Sequence, residues 1–269
     1  MISSLKKYIK RTVFKRIWNS KGVFPYYNHK VYFPKSSIIF KRALVEGIYE
    51  SENVNLMSNL VKENSVVLDI GANIGLMALP MLSLAKQTTV ISVEPSPNSF
   101  PFLLKTQQGS QYKNKWFLIN KAVSNTSGTI NFQLAKGKDA AYESIKDTNR
   151  AEFINSIEVE CTTIDQIWEE YAQPNVSFIK IDIEGADLLA LQGGKNCIGQ
   201  NRPYILMEWN KINIIPFGVT NNDLLSFAKA HNYSIYVLPY FSKCNTIEDL
   251  DLFIQLSENF LLVPNQEVS

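Results

Sequence analysis

Two acidic residues stand where two consecutive apolar runs end, a position in which a carboxylate can bind a polar ligand. Asp69 follows residues 66–68, and Glu94 follows residues 90–93, nineteen residues after Gly75. Apolar, β-branched runs of this length are typical of strands buried in a parallel sheet. An acid at the end of the second strand can accept both hydroxyls of a ribose, as in dinucleotide-binding folds. The two acids therefore predict a ligand that contains adenosine.

The glycines between these acids argue against a site for phosphates. Gly71 and Gly75 lie in a predicted strand-to-helix turn, where glycine lets the backbone approach a ligand, and the next helix is predicted to begin near Asn73. Their spacing differs from G-x-G-x-x-G, and the sequence has no G-x-x-x-x-G-K-[ST] motif. Asp69 beside the turn would also repel a diphosphate. S-adenosyl-L-methionine fits better, because its sulfonium and ammonium groups are cationic.

The same residues belong to a longer set of motifs that resembles the FkbM family of S-adenosylmethionine-dependent methyltransferases. The motifs are Asp-Ile-Gly-Ala-Asn-Ile-Gly (69–75), Val-Glu-Pro-Ser-Pro (93–97), Asn-Lys-Ala-Val-Ser (120–124) and Ile-Lys-Ile-Asp-Ile-Glu-Gly-Ala-Asp (179–187). Their order and spacing also agree with the family. The similarity extends over roughly residues 45–210, and Lys-Ile-Asp-Ile-Glu-Gly is its most family-specific part.

This resemblance implies an S-adenosyl-L-methionine-dependent O-methyltransferase, which in this family often acts on a glycan or a natural product. The expected partner is therefore a small-molecule or glycan hydroxyl. Residues 182–185 (Asp-Ile-Glu-Gly) replace the Asn/Asp-Pro-Pro-Tyr tip that is usual for methylation of an exocyclic amine, which argues against base N-methylation. The residues expected to line the cofactor pocket are Glu50, Asp69, Gly71, Ala72, Asn73, Gly75, Glu94, Ser96, Ala122, Ser124 and Asp182.

Four side chains are candidates for a general base: Asp182, Glu208, Glu184 and His29. The ends of the first and fourth strands face each other in a doubly wound sheet, so Asp182 is expected near the methionine end of the cofactor. Alternatively, Asp182 caps the next helix. Glu208 and Asn210 follow the fifth strand and are expected at the same edge. These oxygens either deprotonate a hydroxyl or hold a divalent cation; we favour the former and expect no metal, because hard-cation sites usually recruit more carboxylates.

The predicted fold is α/β: a Rossmann-like class I methyltransferase sheet of seven mostly parallel strands, with helices on both faces and an N-terminal helical and lid extension. Two final strands, 234–238 and 259–263, are predicted to form an antiparallel hairpin. Residues 125–160 interrupt the alternation with strands at 128–134 and 157–161 around a polar connector, 136–155. We predict that this connector is mobile and helps to shape the substrate pocket.

The chain carries its excess of basic residues at one end. Residues 1–21 hold seven Lys or Arg and no acid, and apolar residues recur between them at helical spacing: Ile2, Leu5, Ile9, Val13 and Ile17. This pattern predicts a basic amphipathic helix and not a signal peptide, because charges interrupt the apolar residues. Two alternatives remain open: the helix packs on the domain, or it docks on anionic lipid or an acidic partner.

Residues 22–45 are rich in aromatic side chains around Pro25 and Pro34. The resemblance implies that this segment covers the mouth of the cofactor pocket as a lid, and core filling is the alternative. His29 lies within it and could titrate near neutral pH. We therefore divide the chain into an N-terminal segment and lid, 1–45, and an S-adenosylmethionine-binding methyltransferase domain, 46–269.

The composition excludes several classes of protein. Hydrophobic residues make up 45% and charged residues 19% of the 269, which excludes a disordered chain, and no apolar run reaches the roughly 18 residues of a membrane span. Three widely spaced cysteines without a C-x-x-C pair indicate neither a disulfide framework nor a zinc site. We expect a cytoplasmic protein, with peripheral membrane contact through residues 1–21 as an option.

Two other functions compete with O-methylation of a small acceptor. One is methylation of RNA, with the basic segment contacting phosphates, although no nucleic acid is expected for the favoured function. The other is a membrane-associated protein that binds a nucleotide without turnover.

Overall fold

The computed structural model describes residues 16–265 except residues 36 and 86, and describes residues 137 and 138 by their main chain alone. Residues 16–20 are helical. Most of the predicted amphipathic helix, residues 1–15, lies outside the described residues, so that prediction stays open. Over the described range, no helix combines the length and the apolar character needed to cross a membrane.

The described chain consists of strands and helices, which mostly alternate from residue 66 to residue 119 and from residue 153 to residue 237. The strands are β1 (Val23–Tyr26), β2 (His29–Tyr32), β3 (Val66–Ile70), β4 (Thr89–Val93), β5 (Trp116–Ile119), β6 (Ala122–Val123), β7 (Gly128–Ala135), β8 (Phe153–Thr162), β9 (Val176–Ile181), β10 (Tyr204–Glu208), β11 (Tyr233–Val237), β12 (Ser242–Cys244) and β13 (Asn259–Pro264). The α-helices are α1 (Ile38–Glu46), α2 (Ser51–Leu60), α3 (Ala78–Leu84), α4 (Phe100–Gln108), α5 (Ile164–Glu170), α6 (Asp187–Gln192), α7 (Lys195–Asn201), α8 (Lys211–Ile214), α9 (Asn221–Ala230) and α10 (Ile247–Phe253). Two 3₁₀ helices span Gly137–Tyr142 and Ile215–Phe217.

The central sheet has the spatial order β12-β11-β13-β10-β9-β3-β4-β5. Strands β3, β4, β5, β9 and β10 are parallel, whereas β13 runs antiparallel to β10 and to β11. The mostly parallel sheet and its antiparallel final pair confirm the predicted fold class. The sheet has one strand more than predicted, since β12 pairs with β11 at the edge; its three residues are too few to show an alternating pattern. Because β4 and β9 lie on opposite sides of β3, the edge beside β3 is a topological switch point.

Helices cover both faces of this sheet, as predicted. Leu68 and Ile70 of β3 point into a cluster that includes α5, α6, α7 and α9, whereas Val67 points into one that includes α1 to α4. Alternate residues of one strand are therefore buried on opposite faces, which explains the continuous apolar run.

Two helices begin later than the sequence pattern predicts. Helix α3 begins at Ala78 and not near Asn73, because Asn73 (φ 49°) and Gly75 (φ 89°) have left-handed backbones that a right-handed helix cannot contain. Helix α6 begins at Asp187 with Ala186 as its N-cap. The alternative role of Asp182 as a helix cap is therefore wrong.

The aromatic segment packs into the core. Strands β1 and β2 form a hairpin, and the rings of Phe24, Phe33 and Phe40 are buried, with Phe33 and Phe40 stacked 4.0 Å apart. These side chains therefore fill the core, which was the alternative to a lid over the cofactor pocket. Helix α1, which follows the hairpin, lines the functional cavity.

A second, three-stranded sheet of order β6-β8-β7 carries the connector. The connector runs over residues 136–152, since β8 begins earlier than predicted, and it opens with the 3₁₀ helix Gly137–Tyr142. Its residues line the same cavity as α1. The part of the connector toward β8 is fastened to the rest of the domain by side-chain hydrogen bonds described below.

Candidate functional site

One cavity opens at the carboxyl edge of the sheet, beside the switch point. Its walls are the turn after β3 and the ends of β4, β9 and β10, and α1 and the 3₁₀ helix Gly137–Tyr142 complete it. About 1430 Å³ of its space is not filled by protein atoms, counting the part open to solvent. The predicted residues that line it are Glu50, Gly71, Ala72, Asn73, Glu94, Ala122, Asp182, Glu184 and Glu208.

Glu94 is held in this cavity by main-chain donors. Its Oε2 accepts a hydrogen bond from the Asn73 N–H at 2.8 Å, and its Oε1 accepts one from the Ser96 N–H at 2.8 Å. Burial raises the pKa of Glu94 to about 7, and the neighbouring carboxylate of Glu143 raises it further while the two N–H groups lower it. The carboxylate therefore has one fixed orientation at the end of β4.

The turn after β3 lies against the end of β9. A Cβ on Gly71, whose φ is +82°, would lie 1.9 Å from the carbonyl oxygen of Asp182. The Asp182 N–H in turn donates to the carbonyl of Ile70 at 3.0 Å. Glycine at position 71 is thus required by contact with the protein's own backbone, in addition to any approach of a ligand.

Asp69 is not among the residues that line the cavity, and its contact with the cofactor stays a prediction. The side chain is 1% exposed within β3 and accepts a hydrogen bond from Ser92 Oγ at 3.2 Å. Burial raises its pKa, and the charge of Lys180 opposes that rise. Asp69 is therefore a buried partner of Lys180 beneath the site.

Three other predicted cofactor contacts serve the protein's packing instead. A Cβ on Gly75 would lie 2.7 Å from the ring of Trp116. Ser96 supports Glu94 through its N–H, and Ser124 donates its N–H to the carbonyl of Thr162 at 3.0 Å. Gly75, Ser96 and Ser124 do not line the cavity, and their direct contact with the cofactor stays a prediction.

His29 is also outside the cavity. It is buried in the N-terminal hairpin, with its ring 5.1 Å from that of Tyr112, and burial lowers its pKa. A base must reach its proton within hydrogen-bond distance or through one water. The prediction of His29 as a general base is therefore wrong.

The other three predicted bases meet at the ends of β9 and β10. One carboxylate oxygen from each of Asp182, Glu184 and Glu208 lies within 4.8 Å of the others. Asn210, which was expected to add an oxygen, donates its amide to Glu208 Oε1 at 2.9 Å and uses Oδ1 to cap α8. Lys180 donates to Asp182 Oδ2 at 3.1 Å.

The proton is distributed unevenly among these acids. Burial, with the negative charges of Asp182 and Glu184, raises the pKa of Glu208 well above its usual value. Burial and Asp182 also raise the pKa of Glu184 to about 8. Burial alone would raise the pKa of Asp182, but Lys180 and the hydrogen bond from Glu208 bring it below its usual value. These directions favour a proton on Glu208, hydrogen-bonded to Asp182, and the negative charge on Asp182.

Arg150 completes the cluster, and sequence reasoning did not find it. Its Nη1 lies 3.0 Å from Glu184 Oε2 and 3.2 Å from Glu208 Oε1, and its guanidinium stacks over the ring of Tyr142 at 4.9 Å. The connector that carries Arg150 has no sequence motif, so nothing in the sequence indicates that this arginine contacts the acids. Three carboxylates at this separation could hold a cation. The Arg150 guanidinium supplies a positive charge beside two of them, Glu184 and Glu208.

Known proteins resemble this chain in sequence. Residues 69–235 match the family model of the methyltransferase FkbM domain. Hexuronic acid methyltransferase AglP of Haloferax volcanii is 25% identical over 180 residues, or 67% of this chain and 69% of AglP. The 2-O-methyltransferase NoeI of Sinorhizobium fredii is 26% identical over 167 residues, or 58% of this chain and 67% of NoeI.

A crystal structure of the methyltransferase FkbM from Methylobacillus flagellatus is 16% identical, with a TM-score of 0.49 over 78% of this chain and 47% of that chain. This chain thus spans about half the length of that solved structure. The family-model match, in contrast, covers more than half of this chain and includes Glu94, the whole acid cluster and Arg150. The chain therefore belongs to the FkbM family of methyltransferases.

Proposed function

We propose that this protein is an S-adenosylmethionine-dependent O-methyltransferase that acts on a saccharide hydroxyl. Membership of the family supports methyl transfer, and two relatives are named for a hexuronic acid and for a 2-O position. The observation that carries the proposal is one cavity with two different acidic sites. Glu94 lies at the end of β4, and the proton-sharing pair Asp182 and Glu208 lies beyond β3.

The chain's residues fit the cofactor. Glu94 has lone pairs left on both fixed oxygens, which can accept the two hydroxyls of a ribose. Asp182 stays ionised in the same cavity and suits a cationic methionine end. Strands β4 and β9 are two strand spacings apart, about 10 Å, which leaves room between the two carboxylates. When bound, the cofactor supplies a methyl group that its sulfonium has already activated.

We assign the acceptor's proton to Asp182. Its side chain is 27% exposed, against 14% for Glu208 and 8% for Glu184, so it is the most accessible of the three. As the oxygen–methyl bond forms and the carbon–sulfur bond breaks, the hydroxyl proton passes to the Asp182–Glu208 pair. A positioned base contributes about 10²–10⁴-fold to such a reaction.

Alignment and exclusion of water fall to the elements around the cavity. Ile38 and Ile39 of α1 face the cavity together with Ala140 and Ala141 of the 3₁₀ helix. Apolar walls of this kind limit the access of water to a reacting centre. Holding acceptor and donor in line can supply up to about 7–11 kcal/mol of the reduction in barrier.

The test is transfer of labelled methyl from S-adenosylmethionine to methyl glucoside and methyl glucuronoside, two sugars that differ by one carboxylate. We expect label in an ether, which resists mild alkali. Label released by alkali would identify a carboxylate acceptor and contradict methylation of a hydroxyl. Glu169→Gln, which changes an exposed carboxylate outside the cavity, is the matched control for variants of the site.

We also propose that residues 1–45 are an extension of the methyltransferase domain 46–269 and that residues 1–21 give a cytoplasmic enzyme peripheral membrane contact. The seven basic residues without an acid in this segment support the proposal. Co-sedimentation with vesicles containing phosphatidylserine, compared with neutral vesicles and with a chain lacking residues 1–21, tests it. Equal sedimentation of both chains would contradict it.

A further inference from the structure

The connector between β7 and β8 is fastened to the rest of the domain at three points along its length. Near the end of β4, Glu143 accepts a hydrogen bond from Asn98 Nδ2 at 2.6 Å. Three residues later Lys146 Nζ donates to the carbonyl of Pro216 at 3.0 Å. Seven residues after Glu143, Arg150 reaches the acid cluster. The connector therefore brings a cation to that cluster from a part of the sequence distant from both acids.

Arg150 and two amides bind the same carboxylate oxygens. Oε2 of Glu184 accepts from Arg150 Nη1 and from Asn213 Nδ2 at 2.9 Å. Oε1 of Glu208 accepts from Arg150 Nη1 and from Asn210 Nδ2 at 2.9 Å. One oxygen of Glu208 is therefore saturated by two donors. The other, Oε2, is left for the hydrogen bonds that Glu208 makes with the neighbouring carboxyls of Asp182 and Glu258.

The backbone around Glu184 is held in a conformation that few residues adopt. Glu184 has φ +55° and Gly185 has φ +98°. A Cβ on Gly185 would lie 2.2 Å from the carbonyl oxygen of Asn213. Non-glycine residues are strained in this region and persist where the surrounding structure fixes them, often at functional sites. The backbone that carries the Glu184 side chain is therefore fixed. Arg150 contacts the Glu184 carboxylate in that position.

Charges face Glu208 from three sides. Asp182 and Glu184, from the end of β9, and Glu258, ahead of β13, are acidic. Arg150 from the connector is the cation that contacts the Glu208 carboxylate among the described residues. Without Arg150, several carboxyls would lie close together with less positive charge between them, and their arrangement would change.

We propose that Arg150 is a positioning residue for methyl transfer: its guanidinium fixes the carboxyls of Glu184 and Glu208 so that Glu208 presents its free oxygen to Asp182. This inference rests on the proposed function, because Asp182 matters as the acceptor's base. Arg150 itself is not assigned to contact with the reacting atoms. One nitrogen, Nη1, contacts both acids while the planar guanidinium lies over the Tyr142 ring at 4.9 Å, a combination that a lysine ammonium reproduces poorly.

The experiment compares Arg150→Ala and Arg150→Lys with Lys146→Ala. Lys146 lies on the same connector but is exposed, binds a carbonyl and lies outside the cavity, so it is the matched control. The acceptor is whichever of the two methyl glycosides the wild type methylates. We expect Arg150→Ala to lose about tenfold or more in kcat, with a smaller change in cofactor affinity measured by calorimetry.

The pH profile separates positioning from a merely structural role. Loss of the cation raises the proton affinity of the acid pair, so the ascending limb of kcat/KM for Arg150→Ala should move to higher pH by about one unit. Added guanidinium ion should restore part of the lost rate of Arg150→Ala. It should not increase the rate of Lys146→Ala. An unshifted limb, or equal losses in Arg150→Ala and Lys146→Ala, would overturn the proposal.

Thermal unfolding tests the inference without any acceptor. Arg150→Ala should be destabilised more at about pH 9 than at about pH 6, because the acids ionise there without their cation, and adding Glu208→Gln should reduce that difference. A loss of stability that does not depend on pH and is unchanged by Glu208→Gln would contradict the proposal that Arg150 fixes the two acids. If neither sugar is methylated but this pattern appears, the proposed acceptor fails while the role of Arg150 in the cluster stands.

Discussion

The two acidic sites of the cavity are built in different ways. Glu94 is held by main-chain donors, from Ser96 two residues away and from Asn73 in the preceding turn. The acid cluster is held by side chains that come together from distant segments, with Arg150 separated by 34 residues from Glu184 and by 58 from Glu208. Main-chain donors fix a carboxylate whatever side chains surround it. The cluster depends on every partner, so it can respond to pH and to single substitutions.

This difference predicts a division of effects between binding and turnover. Variants at Glu94 should weaken the cofactor, and variants in the cluster should slow the reaction. The following predictions test that division, beginning with the largest effect.

Asp182→Asn should reduce kcat by about 10²–10⁴-fold, because the amide cannot accept the acceptor's proton. Cofactor affinity should change by less than kcat, which calorimetry with S-adenosylhomocysteine measures. Melting temperature must be checked in parallel, since the variant removes the carboxylate that hydrogen-bonds to the buried Lys180. A loss of affinity as large as the loss of kcat would erase the distinction between the two sites.

Glu94→Ala should weaken cofactor binding by roughly 10- to 100-fold, the loss of about 1.5–3 kcal/mol expected for a hydrogen bond to a charged group. Turnover at saturating cofactor should fall less than affinity. Glu169→Ala, at an exposed carboxylate outside the cavity, should leave both unchanged. Unchanged calorimetric affinity in Glu94→Ala would remove its assignment to the ribose.

Glu208→Gln should have a smaller effect on kcat than Asp182→Asn. Because burial and the neighbouring acids raise the pKa of Glu208 and so favour its neutral form, a neutral glutamine is a close replacement, and it can still donate to Asp182. Parallel measurement of kcat over pH for both variants checks this order. If Glu208→Gln is the more damaging substitution, Glu208 and not Asp182 takes the proton.

The stability of the cofactor-free protein should fall as pH rises from about 5 to 8. The folded-state pKa values of Glu94, about 7, and Glu184, about 8, are raised above the usual 4.5. A carboxyl with a raised pKa contributes stability below its unfolded pKa and loses it as pH passes the folded value. Asp182, whose pKa is lowered, loses its contribution only in acid.

Differential scanning calorimetry across this range checks the sign, and Glu184→Gln should flatten the upper part of the curve. Glu169→Gln, the exposed control, should follow the wild type. A melting temperature that rises from about pH 5 to pH 8 would contradict the raised pKa values.

Local sequence determined much of the fold and the Glu94 site. The apolar runs of β3, β4 and β9 mark strands buried on both faces, because their residues point alternately into two cores. Glu94 and Asn73 follow two consecutive strands, and parallel strands end at the same edge, so their meeting follows from chain order. The same reasoning placed Asp182 and Glu208 together.

Tertiary packing decided the rest. Asp69 precedes the end of β3 by one residue and lies buried within the strand, in register with Lys180 of β9. A sequence prediction that is uncertain by one residue in the strand end cannot distinguish this position from the strand tip. Gly75 lies so close to the ring of Trp116, 41 positions later in the chain, that a larger side chain would collide with it. Arg150 reaches its acids only because the β7–β8 sheet carries the connector over the cavity. The sequence determines which strand ends meet, since that depends on local patterns, whereas the partner of each buried charge depends on contacts between segments that no local pattern encodes.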